Sequence, residues 1–149
     1  MKRGPLVERD GHKQTPAPDP GQRLRILMVE DDQDTVDTFA ILLAAEGYEI
    51  RYALDGPSGL EAARTWQPDA VLLDIGLPGM NGYELARQLR ASSGTRRPFL
   101  IAITAYGDDK ARHCSEEVGI DLHLVKPVEI EDLQMVLDKF QTILMPEAG

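Results

Sequence analysis

The stretch Val71-Leu72-Leu73-Asp74-Ile75-Gly76-Leu77-Pro78-Gly79 constrains the fold more than any other part of the chain. An unbroken apolar run closes on a single aspartate, and a glycine- and proline-rich turn follows at once. A strand with apolar side chains on both sides of its pleat is buried on both faces, as a parallel strand covered by helices must be. Asp74 then stands where the strand emerges, and folds of that kind carry their chemistry at the carboxyl ends of their strands. An aspartate there can equally be an ordinary turn cap. The residues that the fold brings beside it have to decide.

The rest of the chain alternates strands and helices. Leu24 to Val29 reads as a first strand, ended by Glu30-Asp31-Asp32. Asp32 or Asp34 can cap the next helix, in which Val36, Phe39, Ala40, Leu43 and Ala44 recur at helical spacing up to Gly47. Tyr48 to Leu54 is a second strand. Asp55-Gly56-Pro57 opens a second helix with Leu60, Ala63 and Trp66 on its packing side. After the Asp74 strand, Gly82 to Ala91 is helical, Pro98 to Ile103 is a fourth strand ending at Thr104, and Asp108 to Val118 is a weaker fourth helix. Asp121 to Val125 is a short fifth strand before Lys126-Pro127. The last helix carries a stripe of Ile130, Leu133, Val136, Leu137, Phe140 and Leu144.

Five strand–helix units with no internal repeat predict an α/β fold: a doubly wound, flavodoxin-like (βα)5 domain with a five-stranded parallel sheet of order 2-1-3-4-5. The domain is expected over residues 23–144. A proline-rich tail, residues 1–22, offers nothing to bury, and residues 145–149 form a short C-terminal tail.

In that strand order the first and third strands are neighbours, about 4.8 Å apart. Glu30, Asp31 and Asp32 therefore meet Asp74 at one edge, and Thr104 and Lys126 complete a row of polar groups along it. Several carboxylates in a small space repel one another, so one is protonated or a cation sits among them. An all-oxygen ligand set with positions to spare suits Mg²⁺, and the lack of a nearby histidine or cysteine argues against zinc. A lysine and a hydroxyl added to such a set can neutralise a transferring phosphoryl group. The part still missing is a nucleophile, and an aspartate carboxylate can serve by forming an aspartyl phosphate.

The spans Ile26-Leu27-Met28-Val29-Glu30-Asp31-Asp32, Leu72-Leu73-Asp74-Ile75-Gly76-Leu77-Pro78-Gly79-Met80-Asn81-Gly82, Ile103-Thr104-Ala105 and Val125-Lys126-Pro127 together resemble the receiver domain of two-component response regulators. The resemblance covers about residues 24 to 143. It implies that Asp74 accepts a phosphoryl group from a phosphohistidine on a sensor histidine kinase or histidine phosphotransfer protein. By the same resemblance, Asp31, Asp74 and the Gly76 carbonyl hold Mg²⁺ with help from Glu30 through water, and the missing Gly76 side chain leaves the nucleophile open. Thr104 and Lys126 contact the phosphoryl oxygens, and the Lys126–Pro127 peptide is cis. The domain is then a switch, with self-catalysed phosphotransfer and autodephosphorylation, and no enzyme acting on a separate substrate. The expected output is a protein partner docking on the face of the fourth helix, fifth strand and fifth helix, with a homodimer through that face as a second option. Such a domain is either a stand-alone regulator or the receiver piece of a hybrid kinase or larger regulator.

Two positions refine the pattern. Glu30 stands where many receivers have aspartate, and the charge is kept. The residue three before the lysine, Tyr or Phe in most receivers, is His123, in a segment similar to receivers attached to hybrid histidine kinases. The imidazole is polar and titrates near neutrality, so His123 reads either as half-buried packing or as the residue that moves together with Thr104.

Net charge and composition set outer limits. At −9 the chain lacks the basic character that non-specific binding to nucleic acid or an anionic membrane needs, so neither partner is expected. No apolar run reaches the roughly 18 residues of a membrane span, and Cys114 has no second cysteine to pair with, which fits the cytoplasm. His113 and Cys114 lack further ligands for a metal. A dehalogenase-type hydrolase would want a second acid where Gly76 stands. A flavin binder would need a phosphate loop where this chain puts three acids.

Overall fold

The computed structural model describes residues 23–91, 97–105 and 117–144. The predicted fourth helix, with His113 and Cys114, and the two tails lie outside the described residues apart from the helix's last two positions.

Five parallel strands form one sheet in the order β2-β1-β3-β4-β5. They are β1 (Arg25–Val29), β2 (Glu49–Ala53), β3 (Ala70–Asp74), β4 (Phe99–Thr104) and β5 (Leu122–Val125). The described helices are α1 (Gln33–Ala45), α2 (Gly56–Trp66), α3 (Gly82–Ala91) and α4 (Ile130–Leu144). Every residue of β3 is buried, as the apolar run before Asp74 requires for a central strand.

Alternate residues of the strands feed two separate cores. Leu27, Val29, Val71, Leu73, Leu100 and Ala102 face α2 and α3, packing on Leu60, Trp66, Leu85 and Leu89. On the other side Ile26, Met28, Leu72 and Ile101 face α1 and α4, against Val36, Leu43, Leu133 and Leu137. The period-two alternation of a strand thus delivers apolar side chains to both layers. Trp66 is packing surface as expected: it is 5% exposed, and the Arg51 guanidinium lies 4.7 Å from its ring centre.

The helix ends explain why the chain turns where it does. Asp32 is the N-cap of α1, its side chain accepting from the Thr35 N–H, which settles the choice between Asp32 and Asp34. Asp55 caps α2 by accepting from the Ser58 N–H at 2.8 Å, with Pro57 in the first turn. Gly47 follows α1 at φ +96°, a backbone conformation that a Cβ would oppose.

Below the sheet, Arg90 at the end of α3 joins three segments. Its guanidinium donates to the Gly119 carbonyl at 2.9 Å, the Pro98 carbonyl at 2.8 Å and the Asp121 carboxylate at 2.7 Å. The same Asp121 oxygen accepts from the Leu100 N–H at 2.9 Å. Arg90 therefore fixes the starts of β4 and β5, whose far ends carry Thr104 and Lys126. Arg90→Met is expected to leave Asp121 and two carbonyls short of a donor and to lower unfolding free energy by about 2–4 kcal/mol. A urea titration of both proteins measures it, and an unchanged midpoint would show the bracket to be energetically idle.

Candidate functional site

Sheet register, not sequence distance, assembles the polar residues. Val29 pairs with Leu73, Asp74 with Ile103, and Thr104 with Val125. Glu30 therefore continues β1 to the level of Asp74, Thr104 lies one residue beyond the partner of Asp74, and Lys126 one residue beyond the partner of Thr104. The expected row along the carboxyl edge is present.

Carboxylate oxygens of Glu30, Asp31 and Asp74 lie within 4.8 Å of one another. Glu30 is 5% exposed and Asp74 7%, whereas Asp31 is open to solvent. The set is all oxygen, without histidine or cysteine, and one wall is accessible. Those are the donors that Mg²⁺ prefers while keeping some of its waters, so the residues present fit that ion.

Among the described residues, two donors steady Asp74. The Gly76 N–H donates to Oδ1 at 3.1 Å, and Lys126 Nζ stands 3.4 Å from the same oxygen. The lysine side chain is 42% exposed and the aspartate's 8%. The ammonium thus reaches from solvent onto a buried carboxylate, and its flexible stem leaves it free to follow a charge placed there. Lys126 is itself held by its backbone, the N–H donating to the Thr104 carbonyl at 2.7 Å. The Lys126–Pro127 peptide is cis. Thr104 is buried, at 2% exposure.

Glycines bring the backbone close. Gly82 packs so tightly over the strand end that a Cβ would lie 2.7 Å from the Asp74 carbonyl oxygen and 2.8 Å from the Ile75 Cα. Its N–H donates to the Ile75 carbonyl at 3.0 Å. In the sequence Gly82 reads only as the opening of a helix, and its one signal is its place in the loop motif after Asp74. Gly76 behaves differently: a Cβ there would sit 3.8 Å from Asp74 Oδ1, an ordinary contact, so a methyl group would narrow the approach without a collision.

His123 lies in β5 opposite Ala102. The residue is half-buried and both ring nitrogens are out of solvent contact.

Burial raises the Glu30 carboxyl to about 7, with the nearby Asp74 charge adding to it and the Asp32 N–H, at 3.0 Å from Oε2, opposing it. A carboxyl whose folded value is raised holds its proton in the native state where the unfolded chain has lost it. Stability therefore falls as pH rises from about 4.5 to about 7. In a metal chelator, Glu30→Gln should be more stable than the parent at pH 8 by on the order of 1–3 kcal/mol, and the gain should vanish near pH 4. Denaturant midpoints across that range measure it, and a pH-independent difference would contradict the burial argument.

The family model for the response regulator receiver domain matches residues 26–138. The DNA-binding response regulator MtrA of Mycolicibacterium paratuberculosis is 39% identical over 111 residues, covering 74% of this chain and 48% of that protein. The chemotaxis protein CheY4 of Vibrio cholerae superposes with a TM-score of 0.75 at 25% identity, covering 79% of this chain and 98% of that one. The receiver domain of sensor histidine kinase PA1611 from Pseudomonas aeruginosa, solved with a magnesium ion in its active-site cleft, gives 0.72 at 30% identity, covering 80% and 98%.

One expectation is corrected by these relatives. The acidic charge led to the expectation of no nucleic-acid partner, yet MtrA is by name a DNA-binding protein, and this chain spans about half of its length. A net charge of −9 describes these 149 residues and does not extend to a domain linked to them. Among the described residues no helix is long and apolar enough to cross a membrane.

Proposed function

We propose that this chain, which belongs to the response regulator receiver domain family, works as a phosphorylation switch in which Asp74 is the phosphoacceptor. The observation that carries the assignment is the buried Asp74 carboxylate with the Lys126 ammonium 3.4 Å away and two further carboxylates beside it. The donor is a phosphohistidine of a sensor histidine kinase or phosphotransfer protein.

Each chain group has a task in the transfer. The Gly76 N–H and the Lys126 ammonium orient the Asp74 carboxylate, whose free oxygen attacks phosphorus in line with the leaving group. As charge shifts onto the phosphoryl oxygens, the Lys126 ammonium pairs with one and the Thr104 hydroxyl donates to another. Glu30, Asp31, Asp74 and the Gly76 carbonyl are the residues that would hold Mg²⁺. Bound there, the ion would offset the negative charge that the carboxylates and the phosphoryl group bring together. Hydrolysis returns the switch to its resting state when water reaches the same acyl phosphate.

Phosphorylation adds close to two negative charges at the end of β3, next to the end of β4. Thr104 is the residue drawn toward that charge, and His123, two register positions back on the neighbouring strand, follows into the space it leaves. The compartment that suits such a domain is the cytoplasm. DNA binding, which the name MtrA records for that relative, would fall to a domain linked to the receiver.

Asp74→Asn should take up no label from acetyl phosphate and Mg²⁺, read by intact-protein mass spectrometry. Label persisting on that variant would move the acceptor elsewhere. Lys126→Ala should keep Mg²⁺ binding largely intact by isothermal titration, while the amide-resonance shifts that accompany phosphorylation are lost. Unaltered shifts in that variant would remove Lys126 from the switch.

A further inference from the structure

Beside the carboxylate cluster a cleft of about 480 Å³ opens between α1 and the segment that follows β5. Met28, Phe39, Ile103 and Val128 give it apolar walls, while Glu30 and Lys126 stand on its polar side. Small-ligand sites measure roughly 300–1,000 Å³ and combine mostly apolar lining with a few polar groups, and this cleft has that character. It adjoins the phosphoacceptor site through two side chains: Lys126 lines it and stands 3.4 Å from Asp74, and Glu30 lines it and belongs to the carboxylate cluster. A molecule that satisfied both parts would carry an anionic phosphoryl end for Lys126 and a short apolar end for Phe39 and Val128.

Resting on the assignment of Asp74 as phosphoacceptor, we infer that the cleft seats the acyl group of a small acyl phosphate, so that the domain selects such donors by apolar length. The Asp74 oxygen forms a bond to phosphorus, the bond from phosphorus to the acyl oxygen breaks, and its electron pair leaves on the carboxylate. Charge balances without a proton transfer, and an aspartyl phosphate and a free carboxylate result. Butyryl phosphate carries two more methylenes than acetyl phosphate to the apolar walls. Each buried methylene is worth a factor of about four, which makes the expected preference on the order of tenfold.

The experiment compares rates of aspartyl phosphate formation on the full chain with Mg²⁺ and either acetyl or butyryl phosphate, followed by intact-protein mass spectrometry. Butyryl phosphate should react roughly tenfold faster at low concentration, and the ratio should fall toward one in Phe39→Ser and in Val128→Ser. A second readout needs no turnover: the inert (2-oxopentyl)phosphonate should bind more tightly than (2-oxopropyl)phosphonate and shift the resonances of Phe39 and Val128. Equal rates for the two donors, with Asp74 labelled by both, would overturn the cleft inference and leave the phosphoacceptor assignment standing. No label on Asp74 from either donor would overturn that assignment, and the cleft inference with it. A preference that survives in both serine variants would place the acyl group outside this cleft.

Discussion

Mutual repulsion among Glu30, Asp31 and Asp74 is the constraint around which this domain is built. Their oxygens lie within 4.8 Å of one another, and two of the three groups are almost out of water. Such a set is costly unless something offsets it. In the protein alone the offset comes from a partial proton on Glu30, from the Gly76 and Asp32 N–H groups and from the Lys126 ammonium. Each of these could change under the proposed arrival of a cation or a phosphoryl group. The resting site is thus stabilised by groups that incoming charge can displace or recruit.

The apolar sheet makes this arrangement tolerable. Two cores, one on each face, hold β1, β3 and β4 in register with almost no solvent access. Register then determines how close the strand ends come, since the strands cannot slide without exposing their buried residues. The approach of Gly82 to the Asp74 carbonyl and the Arg90 bracket at the opposite end of the sheet act in the same sense. A charged cluster is held open at one edge by packing that lies almost entirely elsewhere. The cleft between α1 and the end of β5 adds an apolar wall to that edge, so charge and apolar surface meet at Lys126.

Much of the fold was legible because the signals were local and repeated. The β3 run, the start of α2 after Asp55-Gly56-Pro57 and the stripe of α4 are each written within one element, and the structure reproduces them within a residue or two, while the choice of Asp32 over Asp34 as the cap of α1 came from the structure. The polar row at the carboxyl edge was legible for a different reason: its members follow apolar strands, and a parallel sheet brings strand ends together. Arg90 and Gly82 were not legible. A hydrogen-bonding arginine on an exposed-looking helix end, or a glycine opening a helix, has no local mark of its long-range contacts. The charge of the chain was legible too, yet it led to an expectation about nucleic acid that applies only to the segment it was read from.

The sequence by itself determined the alternating elements, the strand order and the set of polar residues at the carboxyl edge, because hydrophobic period and chain connectivity leave few other solutions. Only the tertiary structure decided how those residues face one another. Lys126 lies within reach of one particular oxygen of Asp74, Glu30 is buried enough to bind a proton near neutrality, and Gly76 has room to spare where Gly82 has none. These are matters of distance and solvent access between segments remote in the chain, and a one-dimensional pattern carries neither. Asp74 itself shows the division: its position at a strand end is written in the residues before it, and its chemistry comes from neighbours that folding alone supplies.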